Sequence, residues 1–213
     1  MIKTIIFDLD GTLLDTLGDL TDSVNHVLEN HNMPLRTLPE IRSFVGNGIP
    51  MLIKRAVKEG TSEEEFEQCL KEMMAWYKEH SQIKTCPYDG VIELLAALRE
   101  RNIKTAVVTN KEESAAISLC NKIFGDAFDY VIGDNGVDKL KPAPDNVFRA
   151  MKLLGADNET TLYVGDSDVD MLTAKNSSLP PIGVLWGFRD KEVLIETGAK
   201  CVISSPNELL SLI

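Results

Sequence analysis

The chain has 213 residues, 44% of them hydrophobic and 26% charged, which suits one domain or a domain carrying a large insertion. A net charge of −11 lacks the basic footprint of nucleic-acid and anionic-membrane surfaces, so neither partner is expected. No run reaches the roughly eighteen apolar residues of a membrane span.

Ile2 to Phe7 is an apolar run that predicts a buried β-strand. Thr16 to Asn30 carries Leu17, Leu20, Val24, Val27 and Leu28 at helical spacing. Pro34 and Pro39 punctuate a link to a short helix near Glu40 to Phe44, and Gly46-Asn47-Gly48 predicts a loop. Pro50 suits the first turn of a helix through Lys58. Ser62, ahead of a run of glutamates, opens a further helix bearing Phe66, Leu70, Met73, Met74 and Tyr77, a stripe read as core packing. Residues 15–83 therefore read as an all-helical insertion.

From Pro87 the pattern alternates. Helices are expected at Asp89–Arg101, Lys111–Lys122, Asp145–Leu154, Asp168–Lys175, near Lys191 and from Pro206. Strands are expected at Thr105–Val108, Tyr130–Ile132, Thr161–Val164, Ile182–Val184 and Cys201–Ile203. Apolar, β-branched strands alternating with helices predict an α/β core, a Rossmann-like parallel sheet with helices on both faces. The first strand must join that sheet, so residues 1–14 and 84–213 form the core around the insertion.

Function is written at the strand ends. Asp8 and Asp10 lie two apart just beyond the first strand, with Gly11 permitting a sharp turn. An Asp-Gly turn explains Asp10 but not Asp8, a charge at the end of an apolar strand that is costly to desolvate unless paired or holding a metal. Three more segments end alike: Thr109-Asn110-Lys111, Lys141-Pro142-Ala143-Pro144, and Gly165-Asp166-Ser167-Asp168-Val169-Asp170. Helix capping or a solvated loop could account for any one of these. Four at one sheet edge point to a site. Magnesium takes oxygen ligands, and Asp8 and Asp166 can supply carboxylates. A carboxylate can attack phosphorus, a second acid such as Asp10 can shuttle a proton, and a hydroxyl and a lysine can stabilise the transferring group.

In these four motifs and their order the chain resembles the haloacid dehalogenase-like hydrolase superfamily over nearly its whole length. The resemblance implies Asp8 as nucleophile and Asp10 as acid/base, with Thr109 binding the phosphoryl group helped by the Asn110 amide. It implies Lys141 as the neutralising cation, Asp166 as a magnesium ligand, and Asp170 as support for the metal shell or the lysine. It adds the Asp10 backbone carbonyl as a metal ligand, and makes the helical insertion a mobile cap. Phe44-Val45-Gly46-Asn47-Gly48 with Arg55 downstream, and Leu185-Trp186-Gly187-Phe188, look like the phosphoglycolate phosphatase group. That implies leaving-group selection by Gly46, Asn47, Gly48 and Arg55, with the loop equally readable as a plain helix link. Asn176-Ser177-Ser178 departs from the small-residue and glycine ending usual after the fourth motif.

The expected activity is a magnesium-dependent phosphatase acting through an aspartyl-phosphate on a small phosphorylated metabolite, 2-phosphoglycolate foremost. Alternatives are a pyrophosphatase, a sugar-phosphate phosphatase, a nucleotidase or a β-phosphoglucomutase, the last disfavoured by Gly11-Thr12-Leu13. Asp10 argues against carbon–halogen chemistry. A silent binding module would lack a catalytic group, and none is missing. No Gly-x-x-x-x-Gly-Lys loop is present. His26, His31 and His80 look too dispersed for a site. Cys69, Cys86, Cys120 and Cys201 are scattered without zinc spacing, and no basic leader with an apolar core opens the chain. A cytoplasmic protein with reduced thiols, monomer or homodimer, is expected.

Overall fold

The first strand, β1 (Thr4–Phe7), is buried at every residue, as a strand covered on both faces requires. The computed structural model describes all 213 residues and divides them into two compact units, Met1–Leu14 with Pro87–Ile213, and Asp15–Cys86. The chain leaves the first unit through β2 (Leu14–Asp15) and returns through β3 (Cys86–Pro87), which pair as a two-stranded ladder.

The inserted unit holds α1 (Leu17–Asn30), α2 (Leu38–Phe44), α3 (Gly48–Ala56) and α4 (Glu63–His80). A capping box opens α2: Thr37 Oγ1 accepts from the Glu40 amide while the Glu40 carboxylate accepts from the Thr37 amide. Ser62 caps α4 by accepting from the Glu65 amide at 3.2 Å. Gly48, expected in a loop, begins α3, and the helix ends at Ala56 rather than Lys58. The apolar stripe of α4 is buried at Met73 and Tyr77, but Met74 is 54% exposed and lies outside the core. The three histidines are not dispersed. His26 and His80 both stack on Trp76, at ring centroid distances of 3.5 and 3.7 Å, and His31 Nε2 lies 3.1 Å from Glu72 Oε2. Helical periodicity brought them together across α1 and α4, which a linear reading of spacing misses.

The other unit contains α5 (Val91–Glu100), β4 (Lys104–Glu112), α6 (Glu113–Phe124), β5 (Tyr130–Asp134), α7 (Asp145–Leu154), β6 (Thr161–Gly165), α8 (Asp168–Asn176), β7 (Pro181–Val184), α9 (Lys191–Thr197) and β8 (Cys201–Ile203). Its six-stranded sheet has the order β5-β4-β1-β6-β7-β8, and every neighbouring pair is parallel. Side chains alternate between faces. Ile5 and Phe7 enter a core shared with Leu94 and Leu98 of α5 and Leu119 of α6. Ile6 enters the opposite core with Val147, Ala150 and Leu154 of α7 and Ala174 of α8.

Some elements of this unit differ from expectation. α6 begins at Glu113 rather than Lys111 because β4 continues to Glu112, which pairs with Asp134 beyond a register shift. The segment Pro206–Ser211 is a 3₁₀ turn, not an α-helix. At the unusual Asn176-Ser177-Ser178 ending, Ser178 adopts the left-handed conformation (φ 59°) usually left to glycine, and the Leu179 amide still closes on the Ala174 carbonyl at 2.8 Å.

The inserted unit runs on to Cys86 rather than 83, and the reason is electrostatic. The buried Asp19 carboxylate accepts the backbone amides of Ile83, Lys84 and Thr85 and the Thr85 hydroxyl, at 2.8–3.1 Å, tying that segment to α1. Asp19→Ala is expected to leave those amides unpaired and to destabilise the protein by roughly 2–3 kcal/mol in urea unfolding. A loss of only a few tenths of a kcal/mol would show that the carboxylate holds nothing.

Candidate active site

Four segments deliver polar side chains to the carboxyl end of the parallel sheet. Asp8 follows β1, and its backbone amide bonds the Val164 carbonyl of β6 at 2.9 Å, which fixes the point where its side chain departs. Lys141 is buried, with its Nζ 2.7 Å from Asp8 Oδ1 and 2.7 Å from Asp170 Oδ1. One ammonium thus bridges two carboxylates.

The turn after Asp8 is constrained by Asp166. Gly11 has φ +91°, and a Cβ there would lie 2.4 Å from Asp166 Oδ2, so position 11 needs glycine for both its conformation and its close approach. Gly187 crowds the same residue: a Cβ would lie 2.3 Å from the Asp166 Cβ and 2.4 Å from the Gly11 carbonyl oxygen. Asp166 Oδ1 accepts from the Thr12 hydroxyl at 2.9 Å and Oδ2 from the Phe188 amide at 2.8 Å. These contacts explain the Leu185-Trp186-Gly187-Phe188 segment, as does the Trp186 indole N–H on the Thr12 carbonyl at 3.0 Å.

Asp170 sits in the first turn of α8, in a capping box with Ser167. Its Oδ2 accepts from the Ser167 amide and hydroxyl at 3.0 and 2.6 Å, and the Tyr163 hydroxyl lies 3.2 Å from Oδ1. With Lys141 on that same Oδ1, Asp170 serves first as an anchor for the lysine. Thr109 is buried at the strand end and its Oγ1 accepts the Lys111 amide at 3.1 Å. Asn110 acts differently from expectation at its side chain: Oδ1 accepts the Lys141 amide at 2.8 Å and Nδ2 donates to the Lys141 carbonyl at 3.1 Å. It pins the backbone that carries Lys141.

Asp8, Asp166 and Asp170 can each offer a carboxylate oxygen within 4.8 Å of the others. Burial, then the Asp170 charge, raises the Asp8 carboxyl well above the usual range, with Lys141 opposing. Burial and Asp170 push Asp166 up to about 7, against the Phe188 amide and the Thr12 hydroxyl. Burial alone would lower Lys141, but Asp170 and Asp8 together hold it charged, well above an ordinary lysine. A crowded set of hard oxygen donors with a single shared ammonium fits a divalent cation such as magnesium. The sequence assigns no individual site role to Thr12, Ser167, Tyr163, Lys111 or the Phe188 amide, although all but Tyr163 lie within the motifs named above. Ser167, three before Asp170, carried a capping-box signal; Phe188, 22 residues from Asp166, carried none.

In the inserted unit Arg55 donates to the Phe44 carbonyl at 2.5 Å and to Asn47 Oδ1 at 2.8 Å. It braces the Gly46-Asn47-Gly48 loop from the following helix.

Residues 5–184 match the family model described as haloacid dehalogenase-like hydrolase. The chain belongs to the haloacid dehalogenase-like hydrolases. Among curated relatives, phosphoglycolate phosphatase 1 of Pseudomonas aeruginosa is 32% identical across 98% of this chain and 78% of its own. The phosphoglycolate phosphatase of Mesorhizobium japonicum is 34% identical across 89% of this chain and 85% of its own. A solved structure from Lactobacillus delbrueckii subsp. bulgaricus, named as a candidate phosphoglycolate phosphatase, superposes with a TM-score of 0.94 at 32% identity, covering 99% of this chain and 98% of that one. Within the family, then, this haloacid dehalogenase-like hydrolase falls in the phosphoglycolate phosphatase-like group and is a phosphatase.

The raised carboxyls set a pH dependence. A carboxyl that holds its proton more tightly folded than unfolded adds stability at low pH and loses it as pH rises toward its folded value. For Asp166 that window runs from the ordinary aspartate value of 3.8 to about 7. The metal-free protein is expected to lose thermal stability from this cluster as pH rises across it. Magnesium competes with those protons, so its stabilising shift in Tm should be larger near pH 8 than near pH 5. Equal shifts at the two pH values would mean that magnesium binds elsewhere.

Proposed function

We propose that this phosphatase hydrolyses a small phosphate monoester through an aspartyl-phosphate on Asp8, with 2-phosphoglycolate as the favoured substrate. The observation that carries this reading is the Asp8–Lys141–Asp170 bridge, 2.7 Å on each side, standing beside Asp166 and two residues from a second acid. The substrate preference is supported by the curated relatives named phosphoglycolate phosphatase.

In this mechanism an Asp8 carboxylate oxygen attacks phosphorus while the bond from phosphorus to the ester oxygen breaks. Asp10 gives its proton to the departing alkoxide, which leaves as an alcohol. Asp10 then takes a proton from water as that oxygen attacks phosphorus. The bond from phosphorus to Asp8 breaks, phosphate leaves, and both carboxyls return to their starting states. Asp10 Oδ1 is buried, makes no hydrogen bond and faces the Lys111 ammonium 3.1 Å away, which leaves it an acceptor for a moving proton. Lys141 holds Asp8 in line and offsets charge on the transferring group. Thr109 and the Asn110 backbone amide would bind the phosphoryl oxygens. A magnesium ion held by Asp8, Asp166 and the Asp10 carbonyl, with Asp170 supporting, would supply positive charge to those oxygens. We assign leaving-group selection in the inserted unit to Gly46, Asn47 and Gly48, with Arg55 acting through its grip on that loop.

Asp8→Asn should abolish phosphate release while circular dichroism stays native, because an amide is nearly isosteric but a very poor nucleophile. Substantial turnover by a folded variant would remove Asp8 from the mechanism. Asp10→Asn should behave differently, with a loss of roughly 10²–10⁴-fold on alkyl phosphates. The loss should be smaller on p-nitrophenyl phosphate, whose leaving group needs little protonation. Equal losses on both esters would sink the proton-transfer role.

A further inference from the structure

Lys111 is a second cation of the core site, and nothing in the mechanism above uses it. It follows Asn110 near the end of β4, its side chain is 11% exposed, and its Nζ lies 3.1 Å from Asp10 Oδ1. Its backbone amide is held by Thr109 Oγ1 at 3.1 Å, so its side chain departs from the turn that carries the phosphoryl-binding hydroxyl. The contact with Asp10 is an ion contact without hydrogen-bond alignment.

The two lysines divide the carboxylates between them. Lys141 bridges Asp8 and Asp170, the nucleophile and its support, whereas Lys111 faces Asp10, the carboxyl assigned to the ester oxygen. A plain reading makes Lys111 a counter-charge for Asp10 and nothing more. Its position allows a further role. An ester oxygen in hydrogen-bonding reach of Asp10 would lie within roughly 6 Å of the Lys111 ammonium. In 2-phosphoglycolate a single methylene joins the ester oxygen to the carboxylate, whose oxygens therefore lie only about 3 Å from it. A substrate carboxylate delivered there would otherwise meet Asp10, a like charge. An ammonium carries three donors and can face both carboxylates at once.

We propose that Lys111 is the specificity residue that recognises a carboxylate one carbon from the ester oxygen, so that the core selects phosphoglycolate-type substrates from beside the acid/base group. This rests on the phosphatase reading with Asp10 at the ester oxygen. The Arg55 guanidinium, by contrast, braces its own loop through the Phe44 carbonyl and Asn47.

The test compares 2-phosphoglycolate with its carboxamide, a neutral ester of the same shape, in the presence of magnesium. Wild type should favour the carboxylate. Lys111→Met keeps a similar length without the charge, and should lower kcat/KM for 2-phosphoglycolate by roughly ten- to a hundredfold, chiefly through KM. The loss on the carboxamide should be much smaller, so that the preference collapses. Lys111→Arg keeps a cation and should retain part of it, which also covers the case of a methionine variant that fails to fold. The proposal is overturned if Lys111→Met lowers both esters by one factor, as a mere partner of Asp10 would, or if wild type shows no preference for the carboxylate. Wild type that hydrolyses p-nitrophenyl phosphate but ignores the preference leaves the phosphatase reading standing. Wild type that releases phosphate from no ester overturns that reading and this proposal together.

Discussion

Four carboxylates share one edge of one sheet with only two ammonium groups among them, and most local features of the core follow from that crowding. Buried charge is tolerated only when paired and hydrogen-bonded. Asp166 therefore collects a hydroxyl and a backbone amide, and Asp170 collects Ser167, Tyr163 and Lys141. Gly11 and Gly187 are small because Asp166 occupies the space where their side chains would be. Asn110 clamps the Lys141 backbone from both its amide and its carbonyl, so the bridging ammonium cannot drift. What these partners leave unbalanced is negative, in a site that must admit a phosphate dianion. A divalent cation resolves both problems, and the donor set suits one.

The frame of the candidate site was legible in the sequence because its residues are chemically out of place. Asp8 after Ile5-Ile6-Phe7, and Asp166 after Leu162-Tyr163-Val164, are charges where a buried strand should end quietly. Strand and helix order was legible for a similar reason, since strands buried on both faces are unbroken apolar runs. What stayed hidden depends on distant pairing. Phe188 serves Asp166 through a backbone amide, which any residue possesses. Lys111 looks like the start of a solvated helix until β4 is seen to run past it. Nothing in the neighbours of Arg55 reveals the Phe44 carbonyl that engages it.

The histidines teach the same lesson within the insertion. His26 and His80 are 54 positions apart, yet both stack on one indole, because α1 and α4 each present a turn to the other. Asp19 repeats the pattern with backbone donors from 83–85. In each case the partners are ordinary alone, and only the packing of helices makes them a group.

The position of β1 has a consequence for how the enzyme is made. β1 is made before every other strand of its sheet, yet Thr4 pairs with Lys104 on one side and Thr161 on the other. This strand must wait for most of the chain before both neighbours exist, while the inserted helices draw on contacts within residues 15–86 and can form earlier. Closing such long loops is slow, and an apolar strand kept waiting is prone to wrong partners. Catalytic competence is therefore among the last properties this chain acquires during synthesis. A nascent fragment lacking β6 has the helical insertion and Asp8 in hand, but no Asp166, no Asp170 and no second edge for β1 to hold.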